Sequence, residues 1–128
     1  MFGRWQKSAW LVLIGCLFSM ADPIEILSQA DSCYALRAEK AKGDKANRKH
    51  IDNTIRLYRS VLEDSLVSEK AALGLMRSEY FRIRFATKND KERDKFVALA
   101  KALGDTLHSR FPNNRELTSL YATIYSMW

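Results

Sequence analysis

The chain has 128 residues, 47% of them hydrophobic and 28% charged, with two prolines, five glycines and two cysteines. That length holds one domain and a thin core, which excludes a two-domain enzyme. The formal charge of +6 normally raises nucleic acid as a partner. Here, however, bases alternate with acids, as in Lys91-Glu92-Arg93-Asp94-Lys95, the pattern of a solvated helix face. We therefore expect no nucleic acid; anionic lipid head groups are the better electrostatic partner.

Residues 1–21 have the organisation of an export signal. Arg4 and Lys7 give a positive start, Ala9 to Phe18 an apolar core, and Ser19-Met20-Ala21 small residues before cleavage. The apolar run is too short to span a bilayer, which takes about 20 residues. Leu13-Ile14-Gly15-Cys16 also matches a bacterial lipobox. The two alternatives are cleavage after Ala21, or a diacylated Cys16 holding the protein on its membrane. Either way the protein is expected to be exported and periplasmic, with residues 22–128 as its folded domain and any membrane contact made through the lipid.

The remainder predicts an all-α fold of about five helices in antiparallel hairpins, because no Val/Ile-rich alternating run suggests a sheet. Asp22-Pro23-Ile24-Glu25 is a helix start, with a capping acid, a proline at the first helical position and an acid in the first turn. That helix is expected to run to about Lys42, burying Ile26, Leu27, Ala30, Cys33, Tyr34, Arg37, Ala38 and Ala41 along or beside one stripe, and to end at Gly43-Asp44. A second helix, about Ala46 to Glu63, has Ile51, Ile55, Tyr58, Val61 and Leu62 at core spacing. The third, Glu69 to Phe85, sets Ala72, Leu75, Met76, Glu79, Tyr80 and Ile83 on one side. A charged loop, Ala86 to Lys95, follows, either as a solvated linker or as a lid. The fourth helix, about Asp94 to Arg110, repeats the pattern with Phe96, Leu99, Ala100, Leu103 and Leu107, continued by Phe111. Pro112 stops it. The fifth, Arg115 to Trp128, ends on Ser126-Met127-Trp128, an aromatic end that would favour self-association if left open.

Catalytic material is scarce. His50 and His108 stand in charged helical contexts, and neither pairs with Cys33 at a recognisable spacing. No His-x-x-x-His, Cys-x-x-Cys, calcium-loop or glycine-rich phosphate pattern occurs, so neither metal nor cofactor is expected. Cys33 suits a small buried position at a helix contact. Glu79, on an apolar stripe, suits a buried carboxylate paired to Arg37 or Arg77 better than a general base. The expectation is a protein that is not an enzyme.

Counted backwards from Pro112, Ala100, Gly104 and Leu107 occupy the small or apolar places of a tetratricopeptide repeat. Tyr121, Ala122 and Tyr125 meet its demands on the next helix, while Thr54, Tyr58, Val61 and Leu66 mark an earlier unit. The spacing from Thr54 to Ala100 is 46 residues, against about 34 in the repeat, and the excess falls in the loop after Ala86. In hairpins of this kind the first helix lines the inner face. Leu73, Arg77, Tyr80 and Phe81, joined by Ser119 and Thr123, are then the candidate groove. An arginine among aromatics suits a carboxylate or phosphate on an apolar body; alternatively Arg77 pairs with acids on the Glu79 side or caps a packing seam.

Ala30-Asp31-Ser32-Cys33-Tyr34-Ala35-Leu36-Arg37, Ile55-x-x-Tyr58, Gly74-Leu75-Met76-Arg77-x-x-Tyr80-Phe81 and Arg110-Phe111-Pro112-Asn113-Asn114 together resemble the T component of tetratricopeptide-associated TRAP transporters. The resemblance runs over nearly all of residues 22–128. It implies a periplasmic, often lipid-anchored scaffold that joins the transporter's solute-binding subunit, as a trimer with a central pore. It further implies a cleft that hands over a small apolar, acidic ligand, with Arg77 and Tyr80 in the family's Leu-x-Arg-x-x-Tyr-like segment. Members of that family continue for several more helices, so the chain reads as a shortened one. The alternative is a generic cell-envelope scaffold that binds protein segments and takes no small ligand.

Overall fold

The computed structural model describes residues 22–43 and 45–128; the expected export signal and the lipidation candidate, Cys16, lie outside them. The described residues form five helices: α1 (Pro23–Ala35), α2 (Arg48–Ser60), α3 (Ser68–Phe85), α4 (Asp90–Arg110) and α5 (Arg115–Ser126). No strand occurs among them, only an isolated bridge between Lys42 and Lys45. The fold is all-α.

α1 starts as its sequence dictates. The Asp22 carboxylate accepts from the Ile24 amide at 3.0 Å, with Pro23 in the first turn. It ends at Ala35, well before Lys42. From there the amides of Leu36, Arg37, Glu39 and Ala41 each reach back three residues in successive turns, and Lys40 and Gly43 adopt positive φ of 59° and 64°. Ala30 is the one fully buried residue of α1, and Leu36, Ala38 and Ala41 are exposed. Beyond Tyr34 the helix has no core to lie on, so the small apolar spacing that suggested continuation has nothing to hold it. The Arg37 side chain donates to the Tyr34 carbonyl at 2.9 Å, a second bond to the oxygen that already accepts the Arg37 amide. The chain then returns to the body through Ala46, whose amide donates to the Phe85 carbonyl at 2.7 Å.

α2 is capped by Asn47, which accepts from the Lys49 amide at 2.8 Å, and it buries Ile51, Thr54, Ile55 and Tyr58. α3 is the centre. Ala72, Leu75, Met76, Glu79 and Ile83 are buried as anticipated, and Ala71, Gly74, Ser78 and Phe81 are buried on a second side. Tyr80 is only half-buried.

The charged loop is shorter than expected. Asn89 accepts from the Glu92 amide at 2.9 Å and starts α4 there, so Lys91 to Lys95 are helical and only residues 86–89 connect. No lid exists at this position. A capping asparagine followed by Asp90 and Glu92 in the first turn favours helix despite the dense charge. Along α4, Phe96, Ala100 and Leu107 are buried, but Leu99 is 51% exposed and Val97 takes its place. The reason is geometric: α4 packs against both α3 and α5, so its buried stripe turns toward the corner between them. Asn114 caps α5 by accepting from the Leu117 amide at 2.9 Å.

Each helix packs on the next, and α3 also meets α1 and α5, whereas the backbones of α2 and α4 stay apart. The odd-numbered helices therefore lie side by side. Two glycines set close approaches: a methyl group on Gly74 would collide with the Tyr58 ring of α2, and one on Gly104 with the Tyr121 ring of α5.

Candidate interaction face

On α3, Leu73, Arg77 and Tyr80 fall at steps of four and three and share one incompletely buried stripe, continued by exposed Arg84. α1 flanks it on one side and α5 on the other, because α3 lies between them. Phe81 belongs to the inner edge. It is buried, with the Arg37 guanidinium 5.4 Å from its ring centre.

Arg77 does not stand open for an anion. Its Nε donates to Glu116 Oε1 at 2.9 Å and a terminal nitrogen makes a second contact to the same oxygen, linking α3 to α5. The side chains are 42% and 53% exposed, so solvent screens the pair and its worth is at most about 1 kcal/mol. Beside it the Tyr58 hydroxyl donates to Asp31. Burial first, then that hydrogen bond and the Asp31 charge, push the phenol well above its ordinary range, while the nearby Arg77 charge pulls the other way. Two polar pairs therefore lie on this side of α3: Tyr58–Asp31 links α2 to α1, and Arg77–Glu116 links α3 to α5.

Ser119 and Thr123 contribute less than anticipated. Thr123 donates its hydroxyl to the Ser119 carbonyl within α5 at 2.9 Å, and Ser119 is exposed one step off the row that faces α3. Sequence reasoning missed Glu116 and Asp31. Glu116 lies in the first turn of α5, where an acid needs no further reason than the helix N-terminus, and only the α3–α5 contact gives it a partner.

Glu79 is fully buried, as its position implied, but its partners are Arg82 at 2.7 Å and Arg59 at 3.4 Å, not Arg37 or Arg77. Arg37 and Arg77 lie toward the opposite side of α3. Arg82 also approaches Asp52, and Arg48 meets Asp52 and Glu92, so alternating charges run across α2, α3 and α4. The guanidiniums of Arg82 and Arg48 lie 4.0 and 5.0 Å from the Phe96 ring centre. This network is structural: every acid in it has a basic partner.

Cys33 is a half-buried free thiol that accepts from the Asn53 amide at 3.4 Å. His108 stacks on Tyr121 with ring centres 5.2 Å apart. Among the described residues no group of three or more His, Cys, Asp or Glu side chains is placed to hold a metal ion, and no helix is long and apolar enough to cross a membrane. The fold and the face define an all-α array of five helices whose odd-numbered members lie in one row. No family model, curated protein or solved structure matches the chain.

Proposed function

We propose that the protein is a non-enzymatic helical-repeat scaffold that holds a segment of a partner protein along the α1–α3–α5 row. One observation carries this reading: the odd helices are neighbours while the backbones of α2 and α4 stay apart, which is how stacked tetratricopeptide-type hairpins present their first helices. Leu73 and Tyr80 offer apolar area on that row, and the half-exposed Arg77–Glu116 pair offers both charges to a polar backbone or side chain. A protein segment suits the row better than a small apolar acid, because the guanidinium that would receive the carboxylate is already forked onto Glu116.

On this reading the chain works outside the cytoplasm. The solute-binding subunit of a TRAP-type transporter is the first partner to test. The paired substitution Leu73→Ser and Tyr80→Ser, at partly buried positions packed on the core, should lower the thermal midpoint by several degrees, leave the helical circular dichroism intact at working temperature and abolish co-purification with that subunit. In parallel, short-chain and branched carboxylic acids should leave the midpoint unchanged, since a ligand that binds only the folded state raises it. A rise that disappears in Arg77→Ala would replace the scaffold reading with a small-ligand one.

A further inference from the structure

One end of the array gathers the α1–α2 connection, the start of α2, the end of α3, the start of α4 and the end of α5. The Ala46–Phe85 backbone bond and the Arg48–Glu92 ion pair at 2.9 Å tie the first four together. A cavity of about 230 Å³ lined by Ile83, Arg84, Arg93 and Met127 adds the last.

Charge is concentrated there. Residues 37–49 and 82–95, together with Asp52 and Glu79, the ion-pair partners of Arg48 and Arg82, carry twelve Lys or Arg against seven Asp or Glu, a net +5. The rest of residues 22–128 carries seven against eight, a net −1. Lys42, Lys45, Arg84, Lys88, Lys91 and Arg93 are all exposed. Among the described residues only Arg93 of these six forms an ion pair, with adjacent Asp94 at 3.4 Å. Large apolar side chains are exposed at the same end: Phe85 at 36% and Trp128 at 70%, the latter sharing a second cavity with Arg93 and Met127.

We propose that this end docks on a bilayer surface rich in anionic phospholipid, with a lipid phosphate seated between Arg84 and Arg93 and the rings of Phe85 and Trp128 at head-group depth. Clustered Lys and Arg are drawn to anionic lipid, guanidiniums fork onto phosphate oxygens, and tryptophan settles at the membrane–water boundary. The exposed rings decide against a nucleic-acid duplex, for whose phosphates the basic residues alone would serve. Leu73, Arg77 and Tyr80 take no part, so this inference and the scaffold reading fail independently.

The test is co-sedimentation of the full chain with phosphatidylcholine vesicles, with and without phosphatidylglycerol. Partitioning should require the anionic lipid and weaken as salt is added. Each basic residue removed should cost about fivefold, so Lys88→Glu with Lys91→Glu should lower partitioning by about 25-fold or more, and Trp128→Ser should lower it as well. Arg56→Glu with Arg115→Glu makes the same change in formal charge away from this end and should have little effect. Circular dichroism checks that each variant is folded. Equal binding to neutral vesicles, equal loss in the two charge-reversed variants, or tighter binding to a DNA duplex than to the anionic vesicles would each overturn the proposal.

Discussion

Tyr58 and Tyr121 play the same part from opposite sides. At the α2–α3 contact the ring comes from the earlier helix and the glycine, Gly74, from the later; at the α4–α5 contact the glycine, Gly104, comes first and the ring follows. Gly74→Ala should destabilise by about 1–3 kcal/mol, as overpacking does, because Tyr58 is buried and tied to Asp31. Gly104→Ala should cost less, since the half-exposed Tyr121 ring can swing outward. Urea unfolding of both variants checks the ranking. Arg82→Ala should cost about 3 kcal/mol, the lower end for breaking a buried pair, because Arg59 remains to face Glu79. Arg82→Ala combined with Glu79→Leu should recover most of it; a double variant no better than the single would show that the Arg82 guanidinium stacked on Phe96 is what matters. The Tyr121–Asp105 contact gives a pH signature. The hydrogen bond to Asp105 raises the Tyr121 phenol above its ordinary range, and the same bond holds the Asp105 carboxyl below its own. The stabilising form is therefore lost as pH rises through the raised phenol value and as it falls through the lowered carboxyl value. The difference in thermal midpoint between the native chain and Asp105→Ala should be largest near neutrality and shrink toward both extremes.

At the scale of elements, α4 depends on its cap more than its core pattern suggests. Its first turn is dense with charge, and Asn89 decides whether that turn is helix or loop. Asn89→Ala should cost about 1 kcal/mol and should speed exchange of the Glu92 and Arg93 amides, which bond to Asn89, while leaving the buried segment around Ala100 protected. Uniform protection along α4 in that variant would mean that the Arg48–Glu92 bridge holds the turn by itself. α1 shows the reverse case: a good cap and an early stop, set by how little of the helix finds a core.

For the whole molecule, α3 is the element on which everything else is arranged, since it touches each of the other four helices. That makes its partly exposed stripe the floor of the α1–α3–α5 row, and it is why substitutions there must keep to Leu73 and Tyr80 to probe binding without unfolding. The polar pairs Tyr58–Asp31 and Arg77–Glu116 and the charged chain through Arg59, Glu79, Arg82, Asp52, Arg48 and Glu92 lie on opposite sides of α3.

Five helices, the start of α1 at Asp22-Pro23, the stop of α4 before Pro112, and the buried places of Ala72, Leu75, Met76, Ala100 and Leu107 follow from residue spacing and backbone chemistry. Both act over a few positions and need no knowledge of the fold. Spacing set Tyr80 on the buried side and grouped Leu73, Arg77, Tyr80 and Phe81 as inward positions; the structure leaves Leu73, Arg77 and Tyr80 on a partly exposed stripe and buries Phe81. The tertiary structure alone decided where α1 stops, that Leu99 faces solvent while Val97 does not, and which acid each arginine meets. Those outcomes depend on what lies across a helix contact, such as Glu116 opposite Arg77 or Arg59 opposite Glu79. Residues tens of positions apart become neighbours only when the helices have chosen their places.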